Sequence, residues 1–466
     1  MSGVARALLA IGLTALGFGA SSGLGTAWPL AWVAPLPVLV IALDARARTA
    51  FCVAFAAGLL GGLGLTRAYG PIAAVFGLPS GLIFGLAVLV LRCCAARLPA
   101  WAAACAYAAA VTSLEFLYSL VSPNGTALGS AYTQVDVLPV LQLASVAGLW
   151  GIAFVLALVP ASAALCWRDR SMRPLLPAVA LVLAVVGWGT LRLADAAPSP
   201  AVTVGLAAAD QGLPDAAFMP DRATAVARAN GYATRIATLA DRGAQVVVLP
   251  EKPIAVAGDT GDAVVSELAA AARANSVTVV AGLNRIGTNP RRNVAVVIGP
   301  DGRVAAEYEK RHRVPGFESR YGRGDRSVAF DAAGARWGVA ICKDLDFPAT
   351  MREYGRLGVR YLAVPAWDFV ADGRMHGRMA VVRGVENGYS IARSAQQGLV
   401  TLSDGYGRIV AEDSSPADPL LVAGLPPGPG PTFYTRHGDW FAWLCVGAVA
   451  SLLAAAIARR RRPGAD

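Results

Sequence analysis

Lysine is almost missing from this chain. Of its 41 basic residues only Lys252, Lys310 and Lys343 are lysines, and histidine occurs just three times, at His312, His376 and His437. The chain uses arginine nearly everywhere a cation is wanted, and keeps lysine beside Glu251, after Tyr308 and Glu309, and beside Cys342. Arginine stays protonated and presents a broad planar fork, whereas an ammonium is a compact charge whose pKa follows its surroundings. Glu, Lys and Cys in that order mark a candidate catalytic site. The histidines offer no Cys-His dyad in its place: His437 falls at the edge of an apolar run, and His312 and His376 flank basic turns.

Thiols are just as sparse outside the apolar runs. Cys52, Cys93, Cys94, Cys105, Cys166 and Cys445 fall in or beside such runs, which leaves Cys342 alone in the polar part of the chain. A disulfide framework is excluded there, no CxxC zinc pattern exists, and neither metal nor cofactor is expected. A lone exported thiol is a liability unless it is used.

Charge is scarce as well. Charged residues make up 15% of the chain against 55% hydrophobic, and the mean hydropathy is +0.51. That balance excludes an ordinary soluble protein and fits a membrane part plus one sizeable domain. Apolar runs of roughly the 17 to 25 residues that cross a bilayer as helix lie near 5–20, 24–43, 50–66, 71–91, 99–121, 138–166, 175–193 and 439–458. The first resembles a signal-peptide core behind Arg6, and without cleavage it is span one. The expected domains are a transmembrane region 1–193 of about seven spans, a polar domain 194–438, and a closing span with a basic tail, 439–466.

Arginine placement predicts the orientation, because basic residues near span ends stay cytoplasmic. At alternate span ends one side collects Arg6, Arg46, Arg48, Arg92, Arg97, Arg168, Arg170, Arg173 and the run Arg459 to Arg462, and the other has little beyond Arg67 and Arg192. An even span count puts both termini in the cytoplasm and the 194–438 domain outside. The terminal arginine run, directly after a span, is a topology anchor rather than a nucleic-acid patch, so no nucleic acid is expected as a partner.

Within 194–438 the pattern predicts strands at 202–207, 245–249, 277–282, 294–299, 303–308, 337–342 and 360–364. Helices are predicted at 221–241 and near 261–274, 348–357 and 374–387. Apolar strands alternating with amphipathic helices indicate an α/β domain. Glu251 follows the strand QVVVLP, Lys310 follows VAAEYE, and Cys342 closes WGVAI, all at strand ends, where open α/β sheets gather their sites. In that setting Cys342 would attack a carbonyl carbon to form a thioester. Glu251 would take the thiol proton and later deprotonate the incoming nucleophile, and Lys310 would hold the oxyanion.

These residues carry a family resemblance. VVVLPEKP, YEKRHRVPGFES and VAICKDLDFP look like the three catalytic blocks of the nitrilase superfamily. With seven spans before the domain and one after it, nearly the whole chain resembles the apolipoprotein N-acyltransferase family of bacterial inner membranes. Supporting matches are AGLN, RNVAVVIGPDG and LQLASVAGLWGIAFVLAL. The resemblance implies a four-layer αββα domain in the periplasm and a multi-pass inner-membrane enzyme, expected as a monomer. Its acyl donor would be a phospholipid, and its acceptor the N-terminal amino group of a lipid-modified lipoprotein cysteine. Glu318 matches a supporting glutamate of the family, and Glu115 (SLEFLY) a membrane glutamate, although the basic residue that usually follows the latter is replaced here.

Three departures stand out. Lys343 and Asp344 take the place of Tyr-Glu after the nucleophile, Lys252 the place of a small residue after Glu251, and the stretch from Lys310 to Cys342 is short. Lys252 and Lys343 are then either salt-bridged framework residues or anchors for an anionic head group. The short stretch favours, as an alternative, a membrane-anchored carbon-nitrogen hydrolase using the same residues with water as acceptor; a second alternative, an inactive scaffold, has no need to keep three convergent reactive groups.

Overall fold

The computed structural model describes residues 2–195, 201–209 and 221–460, so Arg461 and Arg462 of the basic tail lie outside it. Two compact units form, Met1–Asp195 with His437–Asp466, and Ala196–Arg436.

In the first unit the helices are α1 (Gly3–Ser21), α2 (Leu36–Asp44), α3 (Ala47–Gly61), α4 (Gly77–Ala95), α5 (Ala100–Val121), α6 (Leu149–Asp169) and α7 (Leu175–Ala194), with a C-terminal helix Trp440–Arg460. Among the described residues seven helices are long and apolar enough to cross a membrane. The run at 24–43 is the exception. It forms a 3-10 turn, Trp28–Trp32, and then α2 of nine residues. Pro29, Pro35 and Pro37 cannot donate to an α ladder, which divides the run. The run at 138–166 is also divided: Gly148, at φ +63, separates the short segment Leu138–Ala147 from α6.

The broken run nevertheless joins the two ends of the bundle. At its start the Trp28 carbonyl accepts from Gln134 at 3.2 Å, in the connection between α5 and α6. At its finish Arg92, near the end of α4, donates to the Leu43 carbonyl at 2.8 Å. At that same end Arg168 donates to the Ala95 carbonyl at 3.1 Å and Arg459 to the Arg97 carbonyl at 3.0 Å. At about 2.0 Å per 3-10 residue and 1.5 Å per α residue the two helical segments together account for roughly 24 Å, so the turn at 33–35 has to supply the rest of the ~30 Å of a hydrocarbon core.

The second unit is an αββα sandwich. One sheet has the order β13-β1-β2-β4-β5-β6 with β3 on β4, and the other β12-β11-β10-β9-β8-β7. The strands of the first are β1 (Val202–Ala207), β2 (Val246–Val248), β3 (Ala255–Val256), β4 (Thr278–Arg285), β5 (Arg292–Ile298), β6 (Val304–Glu309) and β13 (Leu420–Leu425). Those of the second are β7 (Val328–Ala332), β8 (Ala335–Val339), β9 (Tyr361–Trp367), β10 (Ser390–Gln396), β11 (Leu399–Ser403) and β12 (Ile409–Ser414).

Strand alternation builds the layers, since successive side chains point to opposite faces. Val246 and Val248 turn inward against Trp337, Val339 and Tyr361 of the other sheet, with the Trp337 and Tyr361 rings stacked at 4.6 Å. Val247 turns outward onto Ile236 and Leu239 of α8 (Arg222–Asp241) and, with Val279, onto Val264 and Leu268 of α9 (Thr260–Ala274). On the far face Leu362 and Val364 meet Met351 and Tyr354 of α10 (Pro348–Arg356) and Ala380 of α11 (Gly373–Asn387). Strands β1, β2 and β4 are parallel, as are β8, β9 and β10. The expected strand at 337–342 stops at Val339, and β3, β7 and β10 to β13 add to the expected set.

Candidate active site

The loops leaving the parallel strands converge. Glu251 lies three residues beyond β2, and its N–H donates to the Ala366 carbonyl on β9 at 3.1 Å. Close approach of this loop depends on Gly282 in β4, where a Cβ would fall 2.2 Å from the Pro250 carbonyl oxygen. Gln396, the last residue of β10, donates its amide to the Glu251 carbonyl. Lys310 follows β6, with its N–H on the Asn293 carbonyl at 2.9 Å. These backbone bonds fix Glu251 and Lys310 from both sheets.

The structure brings Glu251, Lys310 and Glu318 into one buried cluster. Lys310 Nζ lies 2.8 Å from Glu251 Oε1 and 3.0 Å from Glu318 Oε2. Asn293 Nδ2 donates to Glu251 Oε1 at 2.6 Å and to Glu318 Oε1 at 2.9 Å, tying the two carboxylates to one amide. Burial pulls the Lys310 pKa down, but Glu251 and Glu318, with a smaller contribution from Cys342, outweigh it and hold the ammonium well above its usual range. Burial likewise opposes ionisation of Glu318, yet Lys310 and Lys252 hold its pKa well below the usual carboxylate range. Both charges are therefore fixed at neutral pH.

Cys342 opens the 3-10 turn Cys342–Asp346 after β8 with φ +43, a left-handed conformation that costs energy in any residue with a Cβ. Asp344 holds this turn. It accepts from the Ile341 N–H at 3.0 Å, the Tyr308 hydroxyl at 2.7 Å, and the Arg311 and His312 N–H groups at 3.1 and 2.8 Å. One carboxylate thus clamps the Cys342 turn to the segment that follows Lys310. Burial raises its pKa to about 6 against those hydrogen bonds. The Cys342 thiol donates to the Trp367 carbonyl at 3.4 Å. Burial and the Glu251 carboxylate push the thiol pKa up, while Lys310 draws it down. A resting thiol with a carboxylate at hand to take its proton is the consequence.

The remaining sequence candidates fall around this centre. Lys252 joins it, 2.6 Å from Glu318 Oε1, and Lys343 pairs with Asp346 at 3.0 Å, so both lysines stand in salt bridges. His312 stacks on Phe347 and bonds Thr350 at 2.8 Å; burial and Arg311 pull its pKa down to about 4, leaving it neutral at pH 7. Glu115, in α5, accepts from the Ser130 hydroxyl at 3.1 Å beside a cavity of about 200 Å³ within the helical unit. Sequence reasoning missed Asn293, Asp344 and Gln396, and the buried pair Asp368–Arg393 at 2.5 Å whose charges reach Cys342. Asn293 stood in RNVAVVIGPDG and Asp344 two residues beyond the thiol, so their positions were visible although their roles were not.

Residues 204–421 match the family model described as carbon-nitrogen hydrolase, and with the two-sheet sandwich this makes the chain an enzyme of the nitrilase superfamily. Residues 13–162 match the apolipoprotein N-acyltransferase N-terminal domain. An apolipoprotein N-acyltransferase of Geobacter metallireducens is 26% identical over 93% of this chain and 92% of its own length, and one of Bradyrhizobium diazoefficiens is 28% identical over 77% and 73%. Over most of its length the chain is thus similar to apolipoprotein N-acyltransferases, and it is a multi-pass bacterial membrane protein. A solved nitrilase-superfamily amidase from Nesterenkonia aligns at TM-score 0.43 and 20% identity, over 49% of this chain and 92% of that chain.

Proposed function

We propose that this enzyme moves a fatty acyl chain from a phospholipid to the N-terminal amino group of a lipid-modified lipoprotein cysteine through a thioester on Cys342. The observation that carries this reading is the convergence of Glu251, Lys310 and the Cys342 turn, in a chain that also bears the family's helical unit. Glu251 takes the thiol proton as sulfur attacks the ester carbonyl, and Lys310 stabilises the oxyanion. Collapse expels the lysophospholipid alkoxide, which takes the proton back from Glu251. The acceptor amine then attacks the thioester, Glu251 accepts its proton, and collapse gives the amide and restores the thiol. Glu318 keeps Lys310 in place and does not touch the reacting atoms.

With phospholipid alone, the acyl adduct on Cys342 is expected to persist, and a diacylglyceryl-cysteine peptide should discharge it to the amide. Intact-protein mass spectrometry follows both steps. Rapid release of free fatty acid, unaffected by peptide, would instead establish the carbon-nitrogen hydrolase alternative that the short stretch between Lys310 and Cys342 favours.

The same reading places residues 194–438 in the periplasm and both termini in the cytoplasm. Among the described residues seven helices are long enough to cross, so the even number of passages in this reading requires the broken run to cross too; in its favour, Arg92, Arg168 and Arg459 gather at one end with the finish of that run. Reporter fusions after Arg170 and at the C-terminus should read cytoplasmic. One near Asp210, outside the described residues, should read periplasmic, and a cytoplasmic signal there would overturn the topology.

A further inference from the structure

Lys252 has a backbone conformation that a lysine does not favour, at φ +51, and its side chain is only 8% exposed. A buried ammonium needs partners. Its Nζ lies 2.6 Å from Glu318 Oε1, 3.7 Å from Glu251 Oε1, and 5.1 and 5.6 Å from the ring centroids of Tyr321 and Trp367. Trp367 is also the residue whose carbonyl receives the Cys342 thiol. Glu251, Glu318, Lys310 and Lys252 therefore form one cluster, of which Glu251 and Lys310 act on the Cys342 thiol together with the Asp368–Arg393 pair; with that pair balanced, two carboxylates and two ammoniums leave the whole neutral while the sulfur carries its proton. When Glu251 takes that proton, the new thiolate and the remaining Glu318 carboxylate face two ammoniums, and the cluster stays neutral. Without Lys252 the cluster would carry one unbalanced negative charge before the transfer as well as after it, and any negative charge on the sulfur, including one left by loss of its proton to solvent, would add to that charge in a low-dielectric site.

We propose that Lys252 is a positioning residue that supplies the second positive charge needed for thiolate formation at Cys342, holding Glu318 on Lys310 and offsetting the sulfur's charge. Tyr321 and Trp367 present ring faces that favour a cation there over a neutral side chain. The inference rests on Cys342 as nucleophile, but its readout needs neither acyl donor nor acceptor, so it stands or falls apart from the transfer reaction.

The test is the pH dependence of iodoacetamide alkylation at Cys342 in the full-length protein, followed by mass of the Cys342 peptide so that the other six cysteines do not interfere. Lys252→Met should move the alkylation midpoint up by about one pH unit and slow the reaction at pH 7 by about tenfold. Lys252→Met with Glu318→Gln restores neutrality and should recover most of the shift, which mere loss of packing would not do. Lys252→Arg keeps the charge and should stay close to wild type, and it remains informative where the methionine variant folds poorly. An unchanged midpoint in Lys252→Met, a double variant no better than the single, or a shift in Lys252→Arg as large as in the methionine variant would each overturn the proposal.

Discussion

Replacing Cys342 by alanine should remove all turnover and all acyl adduct while leaving the fold intact. The sulfur's hydrogen bond is a single 3.4 Å contact with the Trp367 carbonyl, so its loss leaves no charged group unpaired. The left-handed backbone at φ +43 is no harder for alanine than for cysteine, because both carry a Cβ. The turn is held through Asp344, which alanine at 342 does not touch. Truncating one half-buried thiol should cost roughly 1 kcal/mol or less, visible as a small drop in thermal midpoint. Full acyl transfer in this variant would sink the covalent mechanism, and an adduct mapped to another residue would relocate it.

The residues proposed as catalytic were legible because lysine is so scarce elsewhere in the chain. Lysine is retained in few places, and in the fold two of the three lysines lie in the cluster with Glu251 and Glu318, with the third one residue past the thiol. The parallel strands were legible too, as runs such as QVVVLP whose alternate valines serve two cores. Strand β10 was not. Its residues SIARSAQ are all buried, but polar ones dominate: Arg393 pairs with Asp368, Ser394 donates to the Ala207 carbonyl, and Gln396 donates to Glu251. A strand that supports a site with hydrogen bonds loses the apolar signature by which strands are read. Strand β12 was hidden for the opposite reason, since IVAEDS is largely exposed at a sheet edge. In the helical unit composition overstated the regularity of the run at 24–43, because hydropathy does not register where prolines interrupt the backbone ladder.

The carboxylate and ammonium partners of Cys342 give the second large effect. Glu251→Gln and Lys310→Met should each lower turnover by about 10² or more, since each removes a group that acts on the transition state. Lys310→Arg should fail as well. Its ammonium sits fully enclosed between Glu251 and Glu318 at 2.8 and 3.0 Å, and a planar guanidinium needs more room than that gap provides. Stability separates a lost catalytic role from a lost fold. In the wild type the depressed pKa of Glu318 means that its contribution is present above the usual carboxylate pKa and is lost only as pH falls through the lower folded value. Removing Lys310 takes away the strongest of the charges that depress it, so the methionine variant should lose stability at higher pH than wild type while remaining folded near neutrality, where Lys252 still pairs with Glu318. Thermal midpoints between pH 3 and pH 8 would show the acid limb displaced upward. A Lys310→Met protein with wild-type turnover, or with an acid limb superimposed on the wild type, would show that the ammonium neither stabilises the oxyanion nor holds the two carboxylates together.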